Sequence, residues 1–456
     1  MAATLVQTAQ RRTQRSFKKD YLLPLLRLLP LVLFISIAQG GEYIRAERPV
    51  SPEVHPVTGG LDHAFDAEPK RPVSFLGPLD EHLIANIRSY DYRQNKENGD
   101  KNAASVIGGS FSYHTGLWRE RLGFGATVYT SQKIWGPDSK AGSGLLKPTQ
   151  ESFTVLGEAY VELKFDSFEM LAYRREMDLP YINKDDIRQV PITHESYAIG
   201  RRGTGRDFVL GHVTQIKTRD NDSFVSMAEA AGVQSKDKGV SVAGFQLQLP
   251  HELRFGAITQ HGWDTFNTTY ADLMWDHQRA SGWSNHLGAQ FTDQRSVGDE
   301  LLGNYDAQAW GIRGGLGYEG QSMKVAYTDY SDNGSIARPY GGTPNFNALM
   351  IEKGDKPGEQ AIGVHLGSHF SKFGLPNWSA NVGVVSGWDI VDADTGESQA
   401  DEVEYDFTLD YKPKQGLFKG LWVRMRYVYI EFDSGVGHRW NTRFIINYQL
   451  PGPVGS

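Results

Sequence analysis

The chain has 456 residues, no cysteine and a formal net charge of −7. Without thiols there are no disulfides or cysteine–zinc sites, and an acidic balance gives nucleic acid nothing to bind. Aromatic residues at 12% and 50 glycines suit either a soluble all-β protein or a barrel that is polar inside and apolar outside.

Residues 1–20 carry Arg11, Arg12, Arg15, Lys18 and Lys19, and an apolar run follows from Leu28 to Ile37. Small residues come next, at Ser36, Ala38 and Gly40. That order reads as a secretory signal peptide over residues 1–40, with cleavage between Ala38 and Gly41. The alternative, a membrane anchor, would need about 20 apolar residues. Nothing after Arg11-Arg12 matches a twin-arginine signal, so general secretion is expected. Without residues 1–40 the chain keeps 41 basic and 53 acidic residues, a net of −12. Beyond residue 40 no apolar stretch is long enough for a transmembrane helix.

Residues 41–78 hold Pro49, Pro52, Pro56, Pro69, Pro72 and Pro78, which break regular elements. They read as an irregular N-terminal extension, either a periplasmic tail or a segment tucked into a lumen. A barrel is expected over residues 79–450, starting near Leu79. There Leu83, Ala85 and Ile87 alternate with Asn86, Arg88 and Tyr90, the period of two that marks a strand. Gln94 to Lys101 reads as a polar loop. Similar arms recur at Val155 to Phe165, Val240 to Leu249, Ile362 to Phe370 and Val403 to Tyr411. Arms of about 9–11 residues cross a bilayer at a tilt. Spaced roughly 20–25 residues apart, they give 16 to 20 strands, with an even number expected.

The closing hairpin, Leu421 to Leu450, is the clearest of these. Leu421, Val423, Met425, Tyr427 and Tyr429 share one face; Trp422, Arg424 and Arg426 share the other. The returning arm puts Phe444, Ile446 and Tyr448 opposite Arg443, Ile445 and Asn447. An arginine facing lipid at mid-bilayer costs about 2–4 kcal/mol, so the arginines belong in a watery lumen. The arm before it turns Glu402, Glu404, Asp406 and Asp410 inward. Those acids are expected to pair in part with Arg424 or Arg426.

Five stretches resemble the OprD family of substrate-specific outer-membrane porins. They are Ile84 to Tyr90, Tyr129 to Pro148 with its Gly-Ser-Gly-Leu-Leu-Lys-Pro ending, and Asp178 to Asn183 followed by Arg188 to Thr193. The others are Phe373 to Pro376 with Gly387 to Ile390, and Leu421 to Arg426 with Arg443 and Tyr448. The resemblance spans Leu79 to Leu450 and implies an all-β fold: a transmembrane antiparallel β-barrel of about 18 strands with inward-folded extracellular loops. It also implies a passive, substrate-selective channel in the outer membrane of a Gram-negative bacterium, for small solutes bearing a carboxylate, such as amino acids or organic acids. Expected partners are those solutes, outer-membrane lipid and the barrel-assembly machinery, with the chain as monomer or trimer and no cofactor. Residues 451–456 form a C-terminal tail that departs from the pattern, since such porins usually end on the last strand.

Arg88, Arg188, Arg424, Arg426 and Arg443 are the candidate channel residues, with Glu402, Glu404, Asp406 and Asp410 as counter-charges. Arginine's planar fork can hold both carboxylate oxygens of a solute. Each could instead be satisfied by acids within the wall. No metal site is expected: His365 and His369, four residues apart on a strand, stand about 13 Å apart. Gly311 to Gly317 has the wrong spacing for a phosphate loop and reads as strand glycines. Trp378 and Trp440 read as interface anchors. Two other functions compete: a channel for hydrophobic compounds plugged by the N-terminal extension, and an outer-membrane barrel hydrolase with a Ser/His site at its rim.

Overall fold

Nineteen strands make one antiparallel sheet in the structure, a computed structural model that describes residues 81–201, 205–234, 238–304, 306–433, 435 and 437–450. The expected signal peptide (1–40), extension (41–78) and tail (451–456) lie outside the described residues. The first strands are β1 (Glu81–Asn95), β2 (Lys101–Thr115), β3 (Leu122–Trp135), β4 (Phe153–Phe165), β5 (Phe168–Arg175), β6 (Thr193–Arg201), β7 (Arg206–Lys217), β8 (Val225–Ser226) and β9 (Val240–Gln248). Then come β10 (Leu253–Gly262), β11 (Phe266–Gln278), β12 (Trp283–Ser296), β13 (Asp306–Tyr318), β14 (Gln321–Tyr330), β15 (Gln360–His369), β16 (Trp378–Trp388), β17 (Glu402–Tyr411), β18 (Leu421–Phe432) and β19 (His438–Gln449).

β8 is a two-residue stub on β7, and β7 pairs directly with β9 past it. The wall therefore has 18 strands, and β1 pairs with β19 to close it. Closure satisfies every edge, the condition for crossing a bilayer with strands.

The wall sorts its side chains by phase. On β18, Arg424, Arg426, Val428 and Ile430 are buried while Met425 and Tyr427 are exposed. On β13, Trp310, Ile312 and Leu316 are exposed, so Arg313 takes the inward phase. Trp283 stacks on Tyr318 at 4.7 Å and Trp378 lies 4.9 Å from Tyr411, at one end of the wall. Trp440 stands at the other end.

Several strands are longer than a bilayer crossing needs; β1 and β2 have 15 residues each. The loop expected from Gln94 to Lys101 shrinks accordingly to residues 96–100, because β1 runs to Asn95 and β2 starts at Lys101. Connections segregate by length. One end carries residues 136–152, 176–192, 218–239, 331–359 and 389–401; the longest at the other end are 370–377 and 412–420. Short turns are periplasmic and long loops extracellular in bacterial barrels. A cysteine at Asn98 is therefore expected to label in intact cells with an impermeant thiol reagent. One at Lys414 should label only after the outer membrane is permeabilised. The opposite pattern would invert this orientation.

Candidate functional site

Four long loops fold into the lumen and meet there. Residues 176–192 are pinned to β1: Arg88 Nη1 and Nη2 donate to Asp186 at 2.7 and 3.1 Å, and Tyr90 Oη donates to the Ile187 carbonyl at 3.0 Å. Gln189 Nε2 donates back to the Arg88 carbonyl at 3.0 Å. On the far side Lys217 Nζ donates to the Pro191 carbonyl at 2.7 Å. Tyr181 and Asp185 sit in the left-handed region, with φ of 61° and 36°. Such backbone costs about 1–3 kcal/mol per residue, and the anchors hold it in place.

Neighbouring loops lock onto this one. Asn183 exchanges two hydrogen bonds of 2.8 Å with the backbone of Gly342, in the 331–359 loop. Arg188 Nε donates to the Ser143 carbonyl at 2.8 Å. Beside it Gly144 has φ of +69°, and a Cβ there would lie 3.2 Å from Arg188 Nε; glycine meets both demands.

The result is a cluster of cations beside Asp185. Arg219, from residues 218–239, reaches Asp185 at 3.0 Å. Arg188 and Arg443 both lie over the ring of Tyr92, at 4.9 and 5.6 Å. Lys353 donates to the Leu349 carbonyl at 2.6 Å, and Arg443 faces the same segment through the Met350 carbonyl at 3.4 Å. Burial pushes the Lys353 ammonium down to about 8, with Asp185 offsetting part of the effect. Burial likewise lowers the Arg219 guanidinium, against the pull of Asp185. Asp185, Asp220 and Glu404 lie within electrostatic reach of this set, so cations and acids line the passage together.

A family model described as "outer membrane porin, OprD family" matches residues 80–452. The chain belongs to the OprD family of outer-membrane porins. Its place is the bacterial outer membrane. No curated protein sequence matches it. Among solved structures, this porin is similar to Pseudomonas aeruginosa OccK9 (OpdG), with a TM-score of 0.74 at 18% identity, covering 82% of this chain and 98% of that one. A BenF-like porin from Pseudomonas fluorescens Pf-5 gives a TM-score of 0.73 at 19% identity, covering 81% and 98%. Pseudomonas aeruginosa OpdK, solved with vanillate, gives 0.72 at 18%, covering 81% and 98%. At these identities the likeness is one of fold.

The nine residues singled out from the sequence divide into three groups in this porin. Arg188 and Arg443 border the cation cluster, Arg443 almost fully buried. Arg88, Arg424 and Arg426 face inward but are tied into the wall. Arg424 pairs with Asp410 at 2.7 and 2.8 Å, and Trp422 Nε1 donates to the same carboxylate at 2.7 Å. Arg426 falls opposite Thr408 in register and donates to its hydroxyl at 3.1 Å. Of the four acids, then, Asp410 is the one whose pairing with the hairpin arginines follows the direct register.

Glu402, Glu404 and Asp406 hold the 331–359 loop instead. Glu404 accepts the N–H groups of Ile351 and Glu352 at 2.9 and 2.6 Å, and Asp406 that of Met350 at 2.9 Å. Glu402 is paired with Lys356. These acids therefore anchor the folded loop, and Asp406 in addition lies within electrostatic reach of Arg426 and Arg443.

Arg219, Lys353 and Arg313 were passed over in the sequence. The loop pair carries no periodic signal. Arg313 does: it alternates with the lipid-facing Ile312.

Proposed function

We propose that this porin is a passive, substrate-selective diffusion channel for small water-soluble solutes that carry a carboxylate. The observation that supports this reading is the gathering of Arg188, Arg219, Lys353 and Arg443 where the inward loops meet, with Arg219 on Asp185 and both Arg188 and Arg443 over Tyr92. Guanidinium forks bind carboxylates in a bidentate manner, while water and the neighbouring acid keep binding weak enough for release. Vanillate, the compound solved with OpdK, is such a carboxylate. Arg88, Arg424 and Arg426 then hold the wall and loops, and Glu402, Glu404 and Asp406 anchor the segment beneath Lys353.

No catalytic role is assigned. His212 Nδ1 and Ser241 Oγ lie 3.1 Å apart, but Leu210 and Phe245 place that phase on the outer face. The Ser241 hydroxyl oxygen also accepts from the Trp263 indole at 3.0 Å.

Reversal potentials under a salt gradient test the reading. The parent channel is expected to prefer anions, and Arg188→Ala with Arg219→Ala to shift that preference toward cations. The Lys353 ammonium is charged below about pH 8 and neutral above it. Anion preference should therefore fall between pH 7 and 9, and Lys353→Met should flatten that slope. A parent channel that favours cations, and is unmoved by the arginine substitutions, would defeat the carboxylate reading.

A further inference from the structure

The inward face of β10 to β15 carries charge well below the loop cluster, toward the short-turn end. Most of it is matched locally. Arg254 faces Asp272 at 3.6 Å, and His286 Nδ1 lies 2.5 Å from Asp276. Arg313 is different. Among the described residues it has no ion pair within 4.0 Å and no hydrogen bond, with Asp276 and Asp272 within electrostatic reach but engaged by His286 and Arg254; its contact is the ring of Phe346, 4.3 Å from the guanidinium. Phe346 comes down from the 331–359 loop onto β12, where a Cβ on Gly288 would lie 3.2 Å from its Cζ. Gly288 and Ala326 flank Arg313 in register, and Met274 of β11 lies with Phe346 over Gly288. A guanidinium stacked through one face keeps its N–H edge available for an oxyanion.

Two further groups stand beside it. His365 is 4% exposed, points inward, and has no partner on either ring nitrogen among the described residues. Buried polar atoms in that state call for an explanation. Lys324 lies directly across from His365 in register and shares the inward face.

We infer that Arg313, with Lys324 and His365 beside it, forms a second anion site in the periplasmic half of the lumen, for the carboxylate of a solute that has passed the loop cluster. The inference rests on the carboxylate reading above and deepens it: the solute is handed from the loops to a stretch of wall distinct from the arginine hairpin. The Phe346 stack fixes the guanidinium plane, Lys324 adds charge, and His365 supplies an N–H from one ring nitrogen.

Single-channel recording of the purified full-length porin, with benzoate as the probe, tests this. The parent is expected to show two classes of current blockade. Arg313→Ala should remove one class or shorten its residence time about tenfold, the loss of a charge-assisted pair, and leave the other intact. Arg313→Lys should keep both. Arg188→Ala should act on the class that Arg313→Ala spares. If Arg313→Ala fails to give the parent's heat-modifiable migration, Arg313→Gln carries the same comparison. Blockades that respond to Arg188→Ala but are unchanged by loss of Arg313 would sink this site and leave the carboxylate reading standing. No blockade by benzoate in any form would overturn both.

Discussion

Asp186→Ala is expected to free the 176–192 loop and widen the channel. The pair it breaks is almost wholly buried: Arg88 and Asp186 have side chains 10% and 9% exposed. Removing Asp186 leaves the Arg88 guanidinium its bonds to Asn447 and to the Arg188 and Gln189 carbonyls but not its ion-pair partner, and breaking a buried pair costs about 3–5 kcal/mol. Here the cost falls on the docked state of the loop, because Arg88 stays in a wall held by its ladders to β2 and β19. With Tyr181 and Asp185 in the left-handed region, the loop has little reason to keep its shape once released. Conductance should rise, ion preference should weaken, and the barrel should still migrate as folded. Asp186→Asn, which keeps one acceptor, should fall between the two. Unchanged conductance in Asp186→Ala would mean that the other anchors, Tyr90, Gln189 and Lys217 among them, suffice without it.

The second large effect lies on the outer face. Ile312 is at the centre of β13 and 53% exposed, with lipid as its surroundings. Ile312→Arg should lower folding stability in lipid vesicles by about 2–4 kcal/mol, the midplane cost, and Leu409→Arg by about 0–1 kcal/mol, since that residue is two from the periplasmic end of β17. A lumenal control cannot be taken from Thr408. It is fully buried and receives the Arg426 hydrogen bond, so a larger cation there would meet a like charge. Equal stability of Ile312→Arg and the parent would mean that β13 does not face lipid.

The wall was legible because lipid and water impose a period of two on each strand. Leu421 to Tyr429 could be split into faces by counting, and the split held residue by residue. Register was not legible. Nothing in the composition of β17 and β18 says that Asp410 rather than Asp406 meets Arg424, since a four-residue slip preserves both faces. The near-complete burial of Arg426 and Arg443 was hidden for another reason. What covers them is partly residues 331–359, a loop without periodicity whose position depends on contacts far away in sequence. Arg219 and Lys353 were missed on the same ground. Arg313 was within reach, because the phase rule that turned Arg424 inward applies equally to a residue between Ile312 and Gly314.

Arg88 also bears on how such a protein is made. Its Nε donates to Asn447 of β19 at 2.7 Å while its two Nη atoms hold Asp186. One guanidinium thus spans the seam where the first strand meets the last and, in the same plane, fixes the loop that shapes the passage. Strand β1 is synthesised early and β19 last, so the Asn447 bond forms only when the seam closes, and closing the wall completes the set of contacts around the guanidinium that holds this loop.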